Sequence, residues 1–79
     1  MTNLEKYEQI FCNTFHVDKE RLYDNFTFEA VGEWDSLIHL SLITDIEDTF
    51  GVMFEPEDIM HYGSFENGIE ILRRYGVEI

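Results

Sequence analysis

The chain has 79 residues, of which 17 are acidic and five are basic, so its formal net charge is −12. No lysine or arginine occurs between Leu22 and Leu72. The surface should therefore repel nucleic acids and anionic membranes, because binding to either needs clustered basic side chains. The single cysteine, Cys12, excludes an internal disulfide framework.

The composition predicts one small packed domain without a targeting or membrane segment. Apolar residues make up 44% of the chain, and no run approaches the roughly 20 apolar residues that span a bilayer. With a free cysteine, these features predict a cytoplasmic protein. Its expected partners are proteins with basic patches, and the alternative is an acidic surface that only maintains solubility.

A first helix is predicted from Asn3 to Phe15. Thr2 and Glu5 have the spacing of a capping box, and apolar residues recur at helical spacing at Leu4, Tyr7, Phe11 and Phe15. A long connection follows, with one helical turn near Asp18. Structureless loops of about 20 residues are uncommon in compact domains. We therefore expect apolar side chains to anchor this loop to the helices, namely Val17, Leu22, Phe26, Phe28 and Val31.

A second helix is predicted from Ser36 to Phe50, with Asp35 or Ser36 as its N-cap and Gly51 just beyond its end. One face should pack in the core through Leu42, Ile43, Ile46 and Phe50, with His39 on the same side. The other face carries Leu37, Leu40, Ser41, Thr44, Glu47 and Asp48. Apolar residues beside carboxylates suit a partner with a hydrophobic pocket edged by basic side chains. Alternatively, the two leucines cover the long loop.

A short third helix is predicted from Pro56 to Met60, because proline suits the first helical position. A fourth is predicted from Phe65 to Tyr75, between Ser64 as its cap and a stop at Gly76, although Gly68 weakens its first turn. No segment alternates long enough to indicate a strand. The predicted fold class is all-α, a small antiparallel four-helix bundle with three main helices, one short helix and a long first loop. Residues 1–79 form one domain.

The acidic residues should also affect one another. Asp58 directly follows Glu57, and a neighbouring like charge disfavours ionisation. We expect the pKa of Asp58 to lie above its ordinary value in the folded chain.

Ser36 carries the most specific chemistry, because Asp35-Ser36-Leu37 opens the second helix. Free backbone N–H groups and the helix dipole favour negative charge there, so the hydroxyl is well placed to hold a phosphate as a phosphodiester. A nucleophilic pair of Ser36 with His39 is the alternative, but the sequence has no Gly-x-Ser-x-Gly elbow. No metal site is predicted, since the histidines lack ligand spacing with Cys12.

Residues 33–54, EWDSLIHLSLITDIEDTFGVMF, resemble the second helix and following loop of the acyl carrier protein family. The matching features are the Asp-Ser-Leu start, spaced aliphatic positions, an acidic pair and a Phe-Gly end. Here these are Asp35-Ser36-Leu37, Leu42 and Ile46, Glu47-Asp48, and Phe50-Gly51. The resemblance extends to the length, the acidity, the long first loop and the helix order.

The resemblance implies that a phosphopantetheinyl transferase attaches 4′-phosphopantetheine from coenzyme A to Ser36. The terminal thiol would hold acyl or aminoacyl groups as thioesters, and the carrier itself would catalyse nothing. Its partners would be that transferase, an acyl- or aminoacyl-loading ligase and downstream acyl-processing enzymes. By the same resemblance, these enzymes would contact Leu37, Glu47 and Asp48. Asp35 and Leu40 complete the expected partner-binding residues, and the carrier is expected to be a monomer.

Several positions depart from housekeeping fatty-acid carriers. Trp34 precedes the motif, Ile38 and His39 follow it, and Ser41 occupies a position that is often acidic. These residues look more like the stand-alone carriers of specialised pathways. The competing hypothesis is an acidic helical adaptor that binds a basic protein partner and is never modified.

Overall fold

The computed structural model describes all 79 residues. It contains four α-helices and no β-strand. The helices are α1 (Asn3–Phe15), α2 (Ser36–Phe50), α3 (Pro56–His61) and α4 (Phe65–Arg74). A 3-10 helix over Lys19–Tyr23 occupies the place of the predicted turn in the first loop. The all-α class and the long first loop are confirmed, and α1 and α2 begin and end at the predicted residues.

The caps follow the sequence signals. Thr2 Oγ1 accepts a hydrogen bond from the Glu5 amide, and Glu5 Oε1 accepts one from the Thr2 amide, which completes the predicted capping box. Asp35, rather than Ser36, caps α2, because its Oδ1 accepts from the Ile38 amide at 2.9 Å. Gly51 ends α2 with a φ of 66°, a conformation that favours glycine.

Aromatic rings fill the core between α1, the first loop and α4. Phe11 lies at the centre, with its ring centroid 5.1 Å from that of Phe65 and 5.8 Å from that of Trp34. The loop is anchored as predicted through Leu22, Phe26 and Val31, which are buried. Two apolar residues of these patterns are exposed instead, namely Leu4 in the helical spacing of α1 and Phe28 among the expected loop anchors. Phe28 lies in a turn and meets the rings of Trp34 and His39 only at an edge.

The first loop is also held by a buried carboxylate. Glu8 is buried on α1, and its Oε2 accepts a hydrogen bond from the Tyr23 hydroxyl at the end of the 3-10 helix. Partial burial and this bond raise the pKa of Tyr23 to about 12. A buried carboxylate without such a donor would be costly, so this contact fixes the position of the loop.

Two tyrosine hydroxyls meet inside the bundle. The Tyr7 hydroxyl donates a hydrogen bond to the backbone oxygen of Phe65 at 2.7 Å. It therefore accepts a hydrogen bond from the Tyr62 hydroxyl, 2.6 Å away. Burial raises the pKa of both tyrosines. A β-carbon on Gly68 would lie well inside van der Waals contact with both hydroxyls. The glycine that weakens α4 as an isolated helix is therefore required by the tyrosine pair.

Asp58 connects α3 to the end of α4. Its Oδ2 accepts from the Tyr75 hydroxyl at 2.5 Å, and its Oδ1 accepts from Arg74 Nη2 at 2.9 Å. These two hydrogen bonds place the pKa of Asp58 below its ordinary value. The prediction of a raised pKa is therefore wrong, because two donors close to the carboxylate outweigh the repulsion from Glu57.

We expect Gly68→Ala to destabilise the fold by about 1–3 kcal/mol, because the added methyl group overpacks the tyrosine pair. Helix propensity alone would favour alanine by about 1 kcal/mol, so the sign of the change tests the packing. Gly32→Ala is the matched control, since its β-carbon would meet nothing within 4 Å. Urea unfolding measures both variants, and a Gly68→Ala variant as stable as the wild type would contradict the packing argument.

The lowered pKa of Asp58 predicts a pH-dependent contribution to stability. The folded pKa lies below the unfolded one, so this contribution is present above the unfolded value of about 3.9 and is lost as pH falls through the folded pKa. The melting temperature of the wild type should exceed that of Asp58→Asn at pH 7, and the gap should close in acid. Glu57→Gln, at an exposed neighbour, should show little change. A gap that widens in acid would disprove the assignment.

Candidate functional site

Ser36 is the first residue of α2, and its side chain is exposed. Because Asp35 supplies the cap, the Ser36 hydroxyl remains outside the chain's own hydrogen bonds. The amides of Ser36 and Leu37 belong to the first turn, where helical N–H groups have no intrahelical acceptor. These amides and the helix dipole favour negative charge near the Ser36 oxygen. The site can accept a phosphate at an unhindered hydroxyl.

His39 is fully engaged beside this site. Trp34 Nε1 donates to His39 Nδ1 at 3.0 Å, and His39 Nε2 lies 2.9 Å from the backbone oxygen of Ile59. Since an indole only donates and a carbonyl only accepts, the proton of the neutral imidazole is on Nε2. No ring nitrogen is left to deprotonate Ser36. The arrangement therefore gives no support to a serine nucleophile with a histidine base, and the expected packing of His39 near the helix start is confirmed.

The same hydrogen bonds position the start of α2. Trp34 is buried, and its ring packs parallel to that of His39 with centroids 6.1 Å apart. His39 in turn links α2 to Ile59 on α3. The residue two positions before Ser36 is thus fixed in the core, while Ser36 itself points away from it.

Ser36 lies at the edge of an open groove of about 900 Å³. The walls come from the first loop, the start of α2 and α3, and they include Phe28, His39, Leu40, Ile59, Met60 and Tyr62. The α3 residues were missed by sequence analysis, because a helix of six residues is too short for a periodic pattern to assign its faces. A group attached at Ser36 would have this groove beside it.

The predicted partner-binding residues separate into two groups. Asp35, Leu37, Leu40 and Asp48 are exposed, with Leu37 80% and Leu40 58% accessible. Leu37 therefore does not cover the loop, whereas Leu40 borders the groove. Glu47 is half-buried, and its Oε2 accepts from the Phe54 amide at 2.8 Å. Glu47 supports the loop after α2, so it is less free to meet a partner than the other four.

Other chemical groups do not form a second site. No three histidine, cysteine or acidic side chains come close enough to hold a metal ion. Cys12 is half-buried against the core, and burial raises the pKa of its thiol. A thiol with a raised pKa is less reactive, in keeping with a structural role. No helix is long and apolar enough to cross a membrane.

Comparison with known families identifies the family to which the chain belongs. A sequence model described as the phosphopantetheine attachment site matches residues 8–72, a range that contains α2, the groove and most of α1 and α4. No individual curated protein matches the chain closely enough to narrow this result. Carrier domains of this family bear a covalent 4′-phosphopantetheine group and catalyse nothing themselves. The chain belongs to the phosphopantetheine attachment site family and is a non-enzymatic carrier of the acyl carrier protein type.

Proposed function

We propose that Ser36 is the attachment residue and that the chain carries acyl or aminoacyl groups between partner enzymes. One observation carries the proposal. Ser36 presents an exposed, uncommitted hydroxyl at the N-terminus of α2, within the range matched to the family. The attached group supplies a terminal thiol, which holds the cargo as a thioester.

The attachment chemistry requires little of the chain itself. The Ser36 oxygen forms a bond to the phosphorus next to the pantetheine of coenzyme A, while the diphosphate bond breaks and adenosine bisphosphate leaves. The serine proton passes to a base of the separate transferase, because His39 has both nitrogens occupied. Asp35 and Trp34 contribute by holding the first turn of α2 in a fixed position.

Residues 1–79 act as one carrier domain in this proposal. The segments outside the matched range take part in the same fold. Tyr7 is fully buried, Val77 and Ile79 pack against the core, and Asn3 Nδ2 donates to the Glu78 backbone oxygen at 2.8 Å. We propose that the domain works as a monomer, and its free thiol fits the reducing cytoplasm.

The partners we propose are the phosphopantetheinyl transferase, a loading ligase and downstream acyl-processing enzymes. They would meet a docking face that consists of Asp35, Leu37, Leu40 and Asp48. Its exposed leucines lie among carboxylates, so it complements a hydrophobic patch ringed by arginine or lysine. Such charge complementarity mainly increases the rate of encounter, which suits a carrier that visits several enzymes in turn.

We further propose a specialised pathway rather than housekeeping fatty-acid synthesis. The support is the Trp34 position, where the ring is buried and bonded to His39. Trp34 and His39 both depart from the pattern of housekeeping fatty-acid carriers, and in this structure a hydrogen bond joins them. The family match counts against the competing hypothesis of an unmodified acidic adaptor, because domains of this family carry a covalent 4′-phosphopantetheine.

Mass spectrometry tests the attachment directly. After incubation with coenzyme A and a broad-specificity phosphopantetheinyl transferase, the chain should gain one phosphopantetheine, and Ser36→Ala should gain none. Ser41→Ala is the matched control, because Ser41 is a second exposed serine on α2, and it should be modified like the wild type. Modification of Ser36→Ala would refute the assignment, and an unmodified wild type would favour the adaptor hypothesis.

Charge reversal tests the docking face. Asp48→Lys should lower the kcat/KM of the transferase by about tenfold at low salt, because it replaces attraction with repulsion at the partner's basic rim, and added salt should shrink the effect. Glu70→Lys makes the same charge change at an exposed position of α4 and should have little effect. Equal effects of the two variants would show that only net charge matters.

Glu47→Ala and Asp48→Lys should differ in their effect on the stability of the fold. Removing its hydrogen bond to Phe54 should lower the melting temperature, whereas the exposed Asp48 position should tolerate change.

A further inference from the structure

Tyr62 belongs both to the groove beside Ser36 and to the buried core. Fifteen side chains form the buried core, and Tyr62 is the one among them that also lines the groove. It lies at the C-terminal end of α3 and is only 2% exposed. A group that passes from the groove into the bundle at this point must displace the Tyr62 ring, and at other points it meets Phe28, His39 and Ile59, which pack against the same core.

Several contacts hold that ring in place. Its hydroxyl donates to Tyr7 at 2.6 Å, and its centroid lies 6.2 Å from those of both His39 and Phe54. Gly68 leaves room for the hydroxyl pair but for nothing larger. Displacing the ring would leave the Tyr62 hydroxyl without its acceptor, which is costly in the interior.

The space behind Tyr62 is already filled. Tyr7, Phe11, Phe65 and Leu72 are fully buried. The second pocket, of about 150 Å³, lies at the surface of α1 beside Glu8 and Lys19. Because protein interiors are close-packed, an alkyl chain has no volume to enter unless a core side chain moves.

We infer that Tyr62 closes the bundle interior to the cargo, so that the carrier holds its cargo outside the core. The inference rests on the proposed function. The thioester-linked group lies in the groove outside Tyr62, between the first loop and α3. Because the interior has no free volume, a longer alkyl chain gains no burial inside the bundle, and its additional methylenes are left in the open groove and in solvent.

The test uses the whole chain loaded with three acyl groups of increasing length. A broad-specificity phosphopantetheinyl transferase attaches butyryl-, octanoyl- or dodecanoyl-phosphopantetheine from the matching acyl-coenzyme A, and intact mass confirms each product. The wild type should melt within about 1 °C for all three. The methyl resonances of Ile46 and Leu72, which are fully buried, should also agree among the three products.

Two variants locate the closure at Tyr62. Tyr62→Phe keeps the ring, and its melting temperature should be as independent of chain length as that of the wild type. Tyr62→Ala removes the ring, so its melting temperature should rise from the butyryl to the dodecanoyl product. If Tyr62→Ala does not fold, Tyr62→Leu opens a smaller space and should show the same trend more weakly.

The outcomes separate the two proposals. A wild type that gains no mass overturns the attachment at Ser36, and this inference with it. A wild type that is loaded and melts higher with longer chains, with shifted methyl resonances, overturns only the closure by Tyr62. Loaded Tyr62→Ala and Tyr62→Leu variants that both ignore chain length assign the closure to other core residues and also overturn the inference.

Discussion

The hydrogen bond between Tyr62 and Tyr7 is the contact on which the rest of the fold depends. It joins the end of α3 to α1, and the Tyr7 hydroxyl in turn donates a hydrogen bond to the Phe65 backbone oxygen at the start of α4. Three helices therefore meet at two hydroxyl groups in a dry interior, where an unpaired polar group would be expensive. Gly68 makes the junction possible, because any side chain there would occupy the same space.

A second chain of contacts determines where the chemistry lies. Trp34 is anchored in the aromatic core, and its indole N–H donates a hydrogen bond to His39. His39 in turn donates one to the Ile59 backbone oxygen. These two hydrogen bonds connect the end of the first loop to α2 and α3, and they hold the first turn of α2 in place. Ser36 is held at the groove edge without being buried, as our proposal that it is the attachment residue requires.

The acidity of the chain works against folding, and only some of its carboxylates are paired. A net charge of −12 on 79 residues opposes compaction, and few basic side chains are present to offset it. Where the structure pairs a carboxylate, it uses neutral donors as well as arginine. Tyr75 bonds Asp58, Tyr23 bonds Glu8, and the Phe54 amide bonds Glu47. Asp48, which we propose as part of the docking face, is exposed.

The sequence by itself determined the helices, the capping box of α1 and the position of Ser36 at the start of α2, because periodicity, capping boxes and glycine stops act over a few neighbouring residues. The choice of Asp35 over Ser36 as the cap of α2 came from the structure. Only the tertiary structure revealed the role of Gly68, the lowered pKa of Asp58 and the groove walls on α3. Each of these depends on atoms far apart in sequence, such as Tyr7 and Tyr62, whose approach no local pattern encodes. Nor could the sequence separate Glu47 from Asp48, since what distinguishes them is the path of the loop that brings the Phe54 amide to one of them.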